Sequence, residues 1–384
     1  MSPAESPPID YKALVQDDRI HASLYTDPRI FADEMDRIFH TGGVFVGHDS
    51  EIPGAGDFVT RSLGREPVIM VRGQDGAVAV LVNRCMHRGT LLCPADRGSV
   101  RTFACPYHGW TYDLAGTLLG VPYPGGYGSF DKSAHGLARA PRVASYRGFV
   151  FASLSATGPT LVEHLGAATR LIDRSCDLAP DGEVALTAGW VKHRCAANWK
   201  MLPENDSDGY HLGFVHSALF RSIRTQYQRV VGEERSIKAV IRAWGQGHIE
   251  IDWSPGYQAS FEWLGNASGD AVADYVAALE RRDGPETTRR RLLEGPPTRS
   301  SSPTCSWARP TSPSWSRCAW TSACTGTRRC SSRGRRSSTA GCCAWPRRAW
   351  ARPRSSCPKI SSSPAATRPV CTHGPRSGCC WAAG

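Results

Sequence analysis

Two short segments of the chain carry residues able to hold metal. Asn83-Arg84-Cys85-Met86-His87-Arg88-Gly89 is followed by Cys105-Pro106-Tyr107-His108-Gly109-Trp110. Each offers one thiol and one imidazole, and 17 residues separate His87 from Cys105. Two thiolates on one iron and two imidazoles on the other make a mixed-ligand [2Fe–2S] cluster. Neutral imidazole in place of thiolate removes negative charge from the cluster and favours reduction. Each loop must serve both irons, which a Cys-x-His pair and a Cys-x2-His pair on adjacent turns can do. Pro106 and Gly109 suit tight turns whose backbone N–H groups reach the sulfurs. The competing reading is a structural zinc on the same four side chains. Zinc knuckles keep each pair tighter and more uniform and lack the Pro-Tyr-His-Gly-Trp context, so the cluster is preferred. Cys93, a fifth cysteine nearby, reads as a buried thiol.

A second constellation begins at Asn198-Trp199-Lys200 and runs through Glu204-Asn205, Asp208-Gly209-Tyr210-His211 and His216. Two histidines and a carboxylate with open positions form the facial triad of Fe(II) oxygenases. Asp208 and His211 are three apart and share a helical face. His211 and His216 are five apart, about 140° around an ideal helix. They can meet on one metal only if the helix bends or ends near Gly213. On spacing alone, satisfied core histidines are the commoner explanation of such a pair.

Taken together, these boxes resemble those of the Rieske non-haem iron oxygenases, the large (α) subunits of aromatic-ring-hydroxylating dioxygenases. The resemblance covers about residues 10–297, and Asp208-Gly-Tyr-His most resembles the benzoate, toluate and cumate type. Respiratory Rieske proteins usually carry extra cysteines that tie the two loops, and here Tyr107 stands in such a place. The resemblance implies that Cys85, His87, Cys105 and His108 hold the cluster. It implies that His211 and His216 bind a mononuclear Fe(II). It also makes Asp208 the electron bridge to the Rieske histidine of a neighbouring subunit, with His108 as that histidine's counterpart. The family's third iron ligand, an Asp far toward the C-terminus, is not found. No carboxylate side chain follows Glu294.

The implied activity inserts O2-derived oxygen into an aromatic substrate. Electrons come from NADH through a reductase, with or without a ferredoxin. The implied assembly is a homotrimer or α3β3, a β subunit being neither required nor excluded. Two alternatives stay open: an electron-transfer-only Rieske protein, and a Rieske monooxygenase or demethylase.

The elements that must position these residues read as an α+β chain. Residues 1–40 form a lead-in and a helix that packs on the catalytic domain. Asp27 is its N-cap and Pro28 its first residue. Ile30, Phe31, Met35, Ile38 and Phe39 follow at helical spacing. Residues 41–155 read as a small all-β domain. Strands at Pro67–Val71 and Ala77–Val82 flank a Gly-containing turn, and further strands are expected at Ser99–Ala104, Thr111–Leu114 and Gly148–Leu154. Residues 156–297 read as part of an antiparallel-sheet catalytic domain of helix-grip type. It has helices near 160–175, 199–219 and 271–282 and paired strands at Ser236–Ile241 and His248–Trp253. Trp110 and Trp199 read as packing residues beside their sites, and His193 and His248 as ordinary histidines.

Residues 298–384 read as an irregular or disordered basic tail. They contain no Asp, Glu, Asn, Gln, Leu, Met, Phe or Tyr, but ten of the 15 cysteines and six of the 12 tryptophans. An ordinary segment is roughly one quarter charged with Leu among its commonest residues. The composition is that of a GC-rich gene read out of frame, which predicts a frameshift near residue 297. The net charge of +11 has the same origin. Fifteen of the 46 basic residues lie in the tail, leaving 31 against 35 acids in residues 1–297. Nucleic-acid binding is therefore not expected, although Arg335-Arg336 and Arg347-Arg348 could touch phosphates. No apolar run reaches the length of a membrane span and the first residues lack a signal peptide's regions. The expected location is the cytoplasm.

Overall fold

The computed structural model describes residues 8–187, 192–208, 211–218, 240–252, 269–295, 299–301, 307–311 and 314–318. The β region is built around a sheet buried on both faces. Its order is Val78–Val82, Glu66–Arg72, Asp57–Leu63, Arg97–Ser99, all antiparallel. Because side chains alternate across a strand, this sheet serves two cores. Val59, Leu63, Val68, Met70 and Val80 meet the sheet formed by Val44–His48, Phe149–Ser153 and Arg142–Tyr146. Phe58, Ile69, Val71 and Leu81 face the opposite way and floor the two Cys/His loops, with Cys85, Cys105, Trp110 and Tyr112 in the same core. That double burial explains why Val68–Val71 is apolar without a break.

The hairpin over Glu66–Val82 pairs as its sequence predicts. The expected strand Ser99–Ala104 is two strands instead. Arg97–Ser99 pairs with Asp57–Val59, whereas Phe103–Ala104 pairs with Thr111–Tyr112. The chain leaves one sheet for another between them, so a single strand cannot satisfy both partners.

The far side of the Val44–His48 sheet is covered by helices Leu161–Leu165 and Thr169–Asp177. Thr160 and Glu163 close a capping box at the first of these. Phe45, Phe149 and Phe151 pack there against Leu165, Ile172 and Cys176. The N-terminal helix Pro28–Glu34 has Asp27 as N-cap, as expected, and runs on through Met35–His40. Met35 and Phe39 bury against Trp199.

In the catalytic region, strands Val240–Gly245 and His248–Asp252 pair. The expected ends at Ser236–Ala239 and Trp253 lie outside the described residues. Helix Gly269–Asp283 forms as expected, and Pro285–Glu294 adds a helix the sequence reading lacks. Its signals were present: Pro at the first position, and Gly284 and Gly295 at positive φ on either side. The expected single helix over 199–219 is broken. Met201–Ser207 ends at Asp208, which is extended at φ −95°, ψ 120°, and Leu212–Val215 starts afresh. Short polar residues compete for backbone hydrogen bonds and favour helix ends; the Ser207 hydroxyl does so, donating to the Pro203 carbonyl at 2.8 Å. Beyond residue 297 the sequence predicts irregular chain, yet the described residues there form three short strands. Arg299–Ser301 pairs with Ile249–Ile251, and Trp307–Thr311 pairs with Ser314–Cys318. A backbone edge accepts a strand through N–H and C=O groups that every residue supplies, so composition alone does not forbid pairing.

Candidate metal centres

The two Cys/His loops are near copies of one another. In the first, the Cys85 N–H donates to the Thr90 carbonyl at 2.8 Å and the Gly89 N–H to the Cys85 carbonyl at 2.9 Å. In the second, the Cys105 N–H donates to the Trp110 carbonyl at 2.8 Å and the Gly109 N–H to the Cys105 carbonyl at 2.9 Å. Gly89 and Gly109 turn each loop at φ +73° and +69°, where a side chain is strained. Both cysteines are buried. The imidazoles of His87 and His108 lie 4.7 Å apart, centre to centre. Behind the first loop, Asn83 pins the chain by donating to the Cys93 carbonyl at 2.7 Å and accepting from its N–H at 2.8 Å. Cys93 is a buried free thiol, as expected.

Burial pushes the Cys85 thiol up, and the neighbouring Cys105 adds to the rise. Two buried thiols side by side are costly as a bare dithiolate, and metal removes that cost by binding them as thiolates. The Tyr112 hydroxyl sits 3.4 Å from Cys85 Sγ and accepts the Met86 N–H at 3.1 Å. Trp110 stacks on His87, and Tyr107 leans over His108 with ring centres 3.7 Å apart. The thiols of Cys85 and Cys105 neighbour one another, and so do the imidazoles of His87 and His108, the division into a thiolate pair and an imidazole pair that a diiron cluster uses. The residues fit a [2Fe–2S] cluster.

The second site is smaller. Asp208 Oδ2 lies 3.1 Å from His211 Nδ1. The other ring nitrogen, His211 Nε2, is buried with no hydrogen-bond partner among the described residues. His216 stands beside it, the ring centres 5.2 Å apart. The helix break thus falls at Asp208, ahead of the expected bend near Gly213, and a single turn carries one histidine to the other. A carboxylate on one imidazole nitrogen fixes the tautomer that leaves the other nitrogen free for metal. His211 and His216 fit as two ligands of a mononuclear ion. Gly209 and Tyr210 lie outside the described residues.

Comparison with known proteins agrees with this geometry. A model described as the Rieske [2Fe-2S] domain matches residues 43–143, and one described as the ring hydroxylating alpha subunit (catalytic domain) matches residues 183–304. The chain belongs to the Rieske ring-hydroxylating oxygenase α-subunit family. Toluate 1,2-dioxygenase subunit alpha of Pseudomonas putida is 38% identical over 299 residues, 71% of this chain and 66% of that protein. The N,N-dimethyl phenylurea N-demethylase subunit alpha of a Sphingobium species is 43% identical over 196 residues, 50% and 42% of the two chains. Naphthalene 1,2-dioxygenase with indole bound superposes with a TM-score of 0.60 at 26% identity, covering 76% of this chain and 68% of that one. The chain thus spans between about two fifths and two thirds of these curated relatives. The family implies a [2Fe–2S] cluster and a mononuclear iron, and the residues present fit both except for the iron's third ligand. No helix of the described residues is long and apolar enough to cross a membrane.

Sequence reasoning proposes the metal-binding side chains and misses those around them. Tyr112 and Glu34 carry no signal beyond aromaticity and polarity, and Tyr107 signals only the place where respiratory Rieske proteins carry a cysteine. Trp110 and Trp199 read only as packing.

Proposed function

We propose that this chain is by design the oxygenase component of a ring-hydroxylating system acting on an aromatic acid. An arene, O2, NADH and a proton become a cis-dihydrodiol and NAD+. Cys85 and Cys105 hold one iron of the cluster, His87 and His108 the other, and His211 and His216 the mononuclear Fe(II). When bound, the two groups supply electrons and O2 activation to the substrate. The chain's own residues prepare them: Tyr112 steadies the Cys85 sulfur, and Asp208 orients His211. Asp208 is also the bridge toward His108 of a neighbouring copy in a trimer or α3β3 assembly, fed by a reductase with or without a ferredoxin. The observation carrying this reading is His211, with Nδ1 engaged by Asp208 and a buried Nε2 that has no partner among the described residues. The names of the toluate and naphthalene dioxygenases support an aromatic substrate. A demethylase or other monooxygenase is the second reading, favoured by the 43% identity to the phenylurea N-demethylase.

The chain as it stands lacks the third iron ligand. Its tail has no carboxylate, and the catalytic-domain match ends at residue 304. We attribute this to a frameshift near residue 297 that leaves the cluster module working alone. Iron analysis of the purified chain should find the two cluster irons and no tightly bound third. Shifting the frame by one base there should restore Leu and acidic residues, a third iron, and NADH-driven oxygen uptake with benzoate-type acids. A third tight iron in the unaltered chain would overturn the truncation. A restored chain that turned over dimethylphenylurea and no aromatic acid would favour the second reading.

A further inference from the structure

The segment that leads into Asp208 and His211 is gripped by residues some 165 positions earlier in the chain. Glu34 is buried and lies between two donors. It accepts from Trp199 Nε1 at 2.7 Å and from Lys200 Nζ at 2.5 Å. Tyr25 adds a second hold: its hydroxyl donates to the Glu204 carboxylate at 2.9 Å, and its carbonyl accepts from Asn198 Nδ2 at 2.9 Å. Phe39 packs edge-on against Trp199, ring centres 5.0 Å apart. The Lys200 ammonium lies over the rings of both Tyr25 and Trp199, at 5.6 and 5.3 Å. All these contacts fall on residues 198–204, the last turns before the break at Asp208.

Apolar packing alone does not need Glu34. A buried ion pair is often no more stable than apolar residues of the same shape, and removing one partner strands the other charge. What the pair adds is one defined arrangement, because Lys200 and the Trp199 N–H must both reach the same carboxylate. Helix Met201–Ser207 begins on those two residues, so its direction, and the place where Asp208 and His211 emerge, follow from that contact.

We infer that Glu34 is a positioning residue for the Asp208–His211–His216 site, acting through Trp199 and Lys200. The inference rests on the reading of His211 and His216 as iron ligands. Its test uses the full chain, Glu34→Ala, and the neutral double variant Glu34→Gln with Lys200→Met. Amide hydrogen exchange over residues 204–216 and the absorption of Co(II) added to the iron site are measured, with the cluster's visible spectrum as a check on the rest of the fold. Glu34→Ala should exchange faster over 204–216 and bind Co(II) about tenfold more weakly, the scale of losing an outer-shell partner, with the cluster spectrum kept. The double variant should recover both, because the amide oxygen of Glu34→Gln still accepts the Trp199 N–H and Lys200→Met leaves no stranded charge. Unchanged exchange over 204–216 in Glu34→Ala overturns the proposal, as does a double variant no better than the single one. Loss of the cluster spectrum with faster exchange throughout also overturns it, since Glu34 would then hold up the whole fold. Co(II) binding kept in His211→Ala is what would end the reading of His211 as a ligand. If the parent chain binds no Co(II), the missing third ligand accounts for it. Exchange and its recovery then decide the positioning role by themselves.

Discussion

The indole of Trp110 lies parallel to the imidazole of His87, ring centres 4.9 Å apart and planes 7° from parallel. Trp110 is also the residue whose carbonyl accepts the Cys105 N–H. One side chain thus buttresses a candidate ligand of the first loop while its own backbone closes the second.

Removing that ring should loosen both loops. Trp110 is buried and packs against Phe130 and Tyr127 as well. Trp110→Ala should cost about 3–5 kcal/mol, the usual loss for a buried Trp. Urea unfolding followed by the cluster's visible absorption measures it. A loss below about 1 kcal/mol would mean the stack carries little of the domain's stability.

The Tyr112 hydroxyl beside Cys85 Sγ should hold the cluster's potential up. A hydrogen bond to sulfur offsets the negative charge gained on reduction. At about 1 kcal/mol for the bond and 59 mV per tenfold for one electron, Tyr112→Phe should lower the potential by roughly 40 mV. Protein-film voltammetry of the two forms reads this directly. An unchanged potential would show that the contact does not reach the cluster electronically.

Gly89 and Gly109 occupy equivalent corners but have different neighbours. A Cβ on Gly109 would stand 3.1 Å from Pro122 Cγ, whereas one on Gly89 meets nothing nearer than Arg84 Cδ at 3.8 Å. Both alanine variants pay about 1–2 kcal/mol for the left-handed backbone, and Gly109→Ala should lose more. Equal losses in thermal unfolding would remove Pro122 from the account.

Stability should fall on mild acidification. Burial lowers the pKa of His248 and of His164, and for His164 the neighbouring His248 and Arg142 lower it further. A histidine with a depressed folded value binds fewer protons when native. Its contribution is therefore intact above the unfolded value of 6.5 and lost as pH drops through the folded one. The urea midpoint should drop between about pH 7.5 and pH 5, and His248→Gln should shrink that drop. An equal drop in the variant would place the acid sensitivity elsewhere.

Much of this molecule was legible before any coordinates. Local patterns carried it: the Asp27-Pro28 helix start, the hairpin about Gly73–Gly76, and the paired Cys and His residues. Those features depend on neighbours a few positions apart, so a linear pattern contains them. The helix break was half legible. Five-residue spacing required His211 and His216 to leave a straight helix, but only the backbone placed the break at Asp208.

The sequence by itself determined which atoms can bind metal, because ligand chemistry belongs to Cys, His and Asp wherever they sit. It also determined that no carboxylate side chain follows Glu294. Only the tertiary structure decided what surrounds those atoms. Trp110 against His87, Tyr112 against Cys85, and Glu34 between Trp199 and Lys200 join residues 23 to 166 positions apart. Such contacts exist only after the sheets and helices close on one another. No spacing rule encodes them, since chain separation places almost no limit on which side chains a folded core brings within 3 Å.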